Sequence, residues 1–190
     1  IDRIVLTFSE DITSGSVAGA DFTVSGFTVS SASRTADSVI TIVLTESGSA
    51  DTDATPSTSV AGSLSDSASN TTASGTKTPS DAAIAVLLSG TTADNDTDGQ
   101  IDRILLTFSE DITSGSVAGA DFTVSGFTIS SASRTSDSIV TIVFTESGTA
   151  DTDATPLSSV SGSLSDGVGN TTTSGSTTPI DAASAVFLSA

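Results

Sequence analysis

Short blocks of alternating apolar and polar residues, separated by runs of Ser, Thr, Gly and Asp, recur along the whole chain. In IDRIVLTF (residues 1–8), Asp2, Ile4, Leu6 and Phe8 fall on one face, and Arg3, Val5 and Thr7 on the other. This follows because strand side chains alternate. Two short strands are expected at 22–25 and 27–33, broken at Gly26. Residues 38–45 (SVITIVLT) are apolar on both faces and predict a central, well-covered strand. Strands at 57–64, 71–74 and 82–89 (AAIAVLLS) complete the set. The turn DSASN at 66–70 is rewritten as DGVGN at 166–170, with residues suited to positive φ. Only SVAGADF reads as helical, for a turn or two. About seven short strands with frequent turn signals predict an all-β sandwich. Its expected core holds Ile4, Leu6, Phe8, Phe22, Phe27, Ile42 and Leu44, with matching positions a hundred residues later.

That recurrence is a repeat. IDRIVLTFSEDITSGSVAGADFTVSGFTVSSASRT from Ile1 returns as IDRILLTFSEDITSGSVAGADFTVSGFTISSASRT from Ile101. Roughly 70 of 90 aligned positions match, far beyond chance. A period of this length is one autonomous small domain, too long for a solenoid unit. The period leaves the phase open, since 82–89 fits either the end of one module or the start of the next.

Composition narrows the function. Five Lys plus Arg face 23 Asp plus Glu, a net charge of −18. Nucleic acid and anionic membrane need basic patches, so neither is expected as a partner. Cations are the natural counterpart, although acidity also keeps a repetitive chain soluble. No run approaches a membrane span. Disorder is disfavoured by the positive mean hydropathy and the β-branched blocks. Cys, His, Met, Trp and Tyr are all absent. Without His, Cys or Tyr there is no constellation for nucleophilic catalysis, and paired carboxylates would lack aromatic platforms for sugars. No catalytic residue is expected.

The one constellation with chemistry is DNDTDGQID at 94–102. Calcium takes six to eight oxygens, and alternate residues of a tight turn can converge on one point. Asp94, Asp96, Asp98 and Asp102 are expected to offer carboxylates, Gln100 its backbone carbonyl, and Gly99 the sharp bend. The twelfth position of a helix-flanked calcium loop is here Leu105, inside a strand, so a further ligand must come from elsewhere. The other reading is a solvated acidic linker, but carboxylates this close repel without a cation. The first copy keeps only Asp2 of the motif, which leaves its site absent or completed by another chain. Asp51, Asp53, Asp151 and Asp153 read as loop caps more than metal ligands, and Glu10, Asp11, Glu110 and Asp111 as turn carboxylates. Asn70, Asn95 and Asn170 fit the N-glycosylation pattern, which Ser/Thr-rich sequence often meets by chance. Lys77 has no counterpart at Thr177, which disfavours a repeated isopeptide crosslink.

The string DAAIAVLLSGTTADNDTDGQIDRILLTFSEDITSGSVAGADFTVSG resembles the opening of bacterial Ig-like tandem repeats of large extracellular surface and adhesin-type proteins. The DTDATP segments at Asp51 and Asp151 also fit. The resemblance implies that an apolar strand opens each module. Residues 1–80 are then an Ig-like repeat lacking its first strand, 81–180 a complete repeat, and 181–190 the first strand of a following one. It also implies a location at the cell surface and a spacer role; with the calcium expected at 94–102 stiffening the array, neighbouring repeats are the expected partners, covalent or by strand exchange. A self-assembling fibre or surface-layer subunit and a ligand-binding adhesin are the alternatives. Left alone, AASAVFLS (182–189) would expose Val186, Phe187 and Leu188.

Overall fold

The alternation in RIVLT and RILLTF becomes two edge-to-centre ladders of the same design, one in each half of the protein. A computed structural model describes residues 1–60 and 64–189. They group into two compact units, Ile1–Asp81 and Ala82–Ala190.

Among the described residues the first unit has six strands: β1 (Arg3–Thr7), β2 (Phe22–Val24), β3 (Val29–Ala36), β4 (Val39–Leu44), β5 (Thr58–Val60) and β6 (Gly75–Lys77). β1, β4 and β3 form one antiparallel sheet in that order, and β2, β5 and β6 another. The register sets Ile4 opposite Ile42 and Leu6 opposite Ile40. Ile4, Phe22, Val24, Ile40, Ile42, Leu44 and Leu64 fill the core. Gly26, at φ +80°, makes the expected break after β2 in a conformation that β-carbons disfavour.

The second unit repeats this plan with additions: β7 (Leu87–Ala93), β8 (Arg103–Phe108), β9 (Phe122–Val124), β10 (Thr128–Ser136), β11 (Ile139–Thr145), β12 (Ser158–Val160), β13 (Leu164–Ser165), β14 (Thr171–Thr172) and β15 (Ser176–Thr177). One sheet runs β10-β11-β8-β7, a second β15-β12-β9, and β13 pairs with β14. SVAGADF and its counterpart are short 3-10 turns, at Gly19–Asp21 and Gly119–Asp121. The protein is all-β, built from small antiparallel sheets compatible with β-sandwich modules. Among the described residues no helix is long and apolar enough to cross a membrane.

β7 makes the main difference between the units. It lies along β8 with Leu87 opposite Phe108, Thr91 opposite Leu105 and Thr92 opposite Ile104. Beneath it Leu106 and Phe108 are 0 % and 2 % exposed. Their counterparts Leu6 and Phe8, expected in the core, are only half-buried, because among the described residues β1 pairs with β4 alone. Phe27 and Phe127 are likewise half-buried against their cores rather than inside them.

Other departures have local causes. The strand expected at 82–89 begins only at Leu87, opposite Phe108, the last residue of β8. At its other end it runs on through β-branched Thr91 and Thr92 to Ala93, into what reads as loop. β4 is central, as expected, but is not covered on both faces: Val43 is 41 % exposed. Of the strand expected at 57–64, residues 61–63 lie outside the described residues. The strand expected at 71–74 is a single bridge at Thr71, and β6 follows it. Residues 181–189 carry no strand, with Phe187 82 % and Leu188 59 % exposed.

The turn at 66–70 is held as its sequence implies. Asp166 accepts backbone hydrogen bonds from Val168 and Asn170 at 2.9 and 2.8 Å and one from the Asn170 side-chain amide at 2.8 Å. Asp66 and Asn70 repeat this arrangement. The Asn70 and Asn170 amides therefore already serve the turn.

Candidate metal centre

The acidic segment is the hairpin connection between β7 and β8, so it lies within the second unit. Its shape follows from Asp side chains bonding their own turn backbone. Asp94 accepts from the N–H groups of Thr97 at 2.7 Å and Gly99 at 2.9 Å. Asp98 accepts from the Gln100 backbone at 2.9 Å and its side-chain amide at 2.8 Å. Asp102 accepts from Asn95 at 3.1 Å and from the Arg103 guanidinium at 3.0 Å. Thr97 and Gly99 take positive φ, +63° and +97°, and close the turn.

Two triads of carboxylates result. Oxygens of Asp94, Asp96 and Asp98 lie within 4.8 Å of one another, as do those of Asp96, Asp102 and Glu146. Oxygens on opposite sides of one calcium ion at 2.3–2.6 Å are about 5 Å apart, so both spacings suit shared ligation. Asp96 belongs to both. The donors are all oxygen, the chemistry a hard divalent cation requires. Glu146 is the residue that sequence reasoning missed. It follows the last residue of β11, and β11 pairs antiparallel with β8, setting Val143 opposite Arg103. The Phe144 N–H also donates to the Asp102 carbonyl at 2.9 Å. The end of one strand thus meets the start of the other.

Crowding marks Glu146 electrostatically. Loss of solvent, then repulsion from Asp98, Asp96, Asp102 and Asp94, raises its carboxyl pKa above the ordinary value. Such a group relaxes when a cation enters.

The structure gives the Gln100 side chain a role in the loop, beside the backbone carbonyl expected to face the cation. Its side chain is buried, donating to Asp98 and accepting from the Gly148 N–H. Asp151 acts as the loop cap expected of it, but for a neighbouring loop. It accepts from the Ile101 N–H at 2.7 Å, while its own N–H donates to the Gly99 carbonyl at 2.9 Å. In the first unit Asp51 receives the Ile1 nitrogen in the same way.

Fold and site together define a repeated all-β module with an acidic, oxygen-only cluster at the β7–β8 hairpin. No family model matches the chain. Over 79 residues it is 42 % identical to an outer cell wall protein of Brevibacillus brevis. The match covers 42 % of this chain and 8 % of that protein.

Proposed function

We propose that the chain is a structural segment of an extracellular surface protein, in which calcium clamps the first strand of a module to the rest of its sheet. The similarity to an outer cell wall protein supports the surface location and structural role. The observation that carries the calcium reading is the meeting of two carboxylate triads at Asp96, fed by β7, β8 and β11. A cation held by Asp94, Asp96, Asp98, Asp102 and Glu146 replaces mutual repulsion with a crosslink between three strand ends. Gln100 and Asp151 position the loop. The module then resists extension as one body, which suits a spacer. An enzymatic role finds no support in the residues available, and a receptor-binding role has none of its own.

Titration calorimetry with calcium tests this, paired with thermal melts in calcium and in EDTA. Binding heat and a higher melting temperature in calcium are expected, both lost in Asp96→Ala/Glu146→Ala. Absence of heat with identical melts overturns the reading.

A further inference from the structure

We infer that the second unit carries a tension-bearing patch, the parallel contact of β7 with residues 179–182, which holds the module closed when the chain is pulled lengthwise. This deepens the structural role proposed above, on which it rests, and does not depend on calcium.

β7 is the first strand of the unit, and residues 179–182 follow its last, β15. Thr91 and Ile180 form a parallel bridge. Its two backbone bonds run from the Ile180 N–H to the Gly90 carbonyl at 2.8 Å and from the Thr92 N–H to the Ile180 carbonyl at 3.1 Å. The Ala182 N–H adds a bond to Thr92 Oγ1 at 3.2 Å. β7 is thus held on both sides, by β8 antiparallel and by this segment parallel. Gly90 makes the approach possible: a β-carbon there would stand 3.3 Å from Pro179 Cγ and 3.0 Å from Leu106 Cδ2.

Direction decides what these bonds resist. Lengthwise tension enters the unit upstream of β7 and leaves it beyond Ala182. Because the two segments run the same way, it draws β7 towards its start and residues 179–182 towards their end. The bonds are loaded along the strands and must give way together. An antiparallel pair drawn apart from one end opens bond by bond instead. Gly90 and Thr92 are buried, so sliding the contact apart takes polar groups from their partners where water is scarce. Resistance of this kind is kinetic, since forced unfolding follows the unfolding rate and not the equilibrium stability. The Ile180 side chain is 68 % exposed, so little apolar packing rides on it. The patch is therefore expected to govern rupture far more than melting.

Single-molecule pulling in EDTA tests the inference. The chain has no cysteine, so introduced pairs at exposed positions set the axis of load. Ala82→Cys/Ser184→Cys loads the patch in shear, and Asn95→Cys/Ser184→Cys peels it from one end. A higher rupture force is expected along the first axis. Ile180→Pro removes the N–H that bonds Gly90. It is expected to speed rupture along the first axis about three- to tenfold at fixed force, the scale of one backbone hydrogen bond. Its melting temperature should stay close to that of the parent chain. Equal forces along the two axes, or a rupture rate indifferent to Ile180→Pro, overturn the inference. A large fall in melting temperature overturns it too, because the contact would then be a general support of the fold. Shear resistance in EDTA with no calcium heat in calorimetry would sink the metal reading alone.

Discussion

Asp151 and Ile101 are joined by a hydrogen bond of 2.7 Å from the Ile101 N–H to the Asp151 carboxylate, which fixes where the acidic loop ends and β8 begins. Because Asp151 also holds the Gly99 carbonyl through its own N–H, two points of the loop depend on it. Asp151→Ala is expected to cost about 1–3 kcal/mol, the scale of a hydrogen bond to a charged acceptor. Calcium affinity should also fall by about tenfold or more, as for other residues that orient ligands. Asp151→Asn keeps an acceptor oxygen and should recover part of both. Denaturant melts and calorimetry on the three proteins decide this.

Calcium affinity should be modest, about 10⁻⁴–10⁻³ M as in extracellular modules. Asp96→Ala should be the most damaging single ligand change, because Asp96 alone belongs to both triads. Glu146→Gln should weaken binding less. If Glu146→Gln leaves affinity and melting unchanged, Glu146 is not a ligand.

Glu146 also sets a pH dependence. Its pKa is raised in the fold above 4.5, so its contribution to stability is complete below the unfolded value and is lost as pH rises through the folded one. In EDTA the second unit should therefore gain stability as pH falls from neutrality towards 4.5. Glu146→Gln should flatten that gain, and saturating calcium should abolish it. Urea melts at stepped pH provide the readout.

The turn aspartates act in the opposite sense at lower pH. Burial opposes the ionisation of Asp166, yet hydrogen bonds from Asn170, Val168 and Gly169 outweigh it and hold its pKa below 3.8. For Asp66 the Asn70 side chain leads the same lowering. These contributions are present above the unfolded pKa and vanish as pH falls through the depressed one. A loss of stability should thus set in below about pH 3.8. Asp166→Ala should cost about 2–3 kcal/mol at neutral pH, since several turn N–H groups lose their acceptor. Acid melts of Asp166→Ala should then lack its share of the decline.

Alternation and repetition were enough to read the strand faces, the all-β class, the Gly26 break, the aspartate turns and the acidic loop. All are local: two-residue periodicity decides which side chains share a face, and a short Asp or Gly turn carries its own hydrogen-bond partners. Tertiary structure decided what depends on a partner distant in sequence. Leu6 and Leu106 stand in nearly the same string, yet only Leu106 is fully buried, because β7 lies over β8. Glu146 lies far along the chain from Asp102 and reaches the loop only through the antiparallel pairing of β11 with β8. Gln100 gave no sign in its own neighbourhood that its side chain would be buried against Gly148. Burial and ligation are properties of what a fold brings alongside a residue, and no local pattern records them.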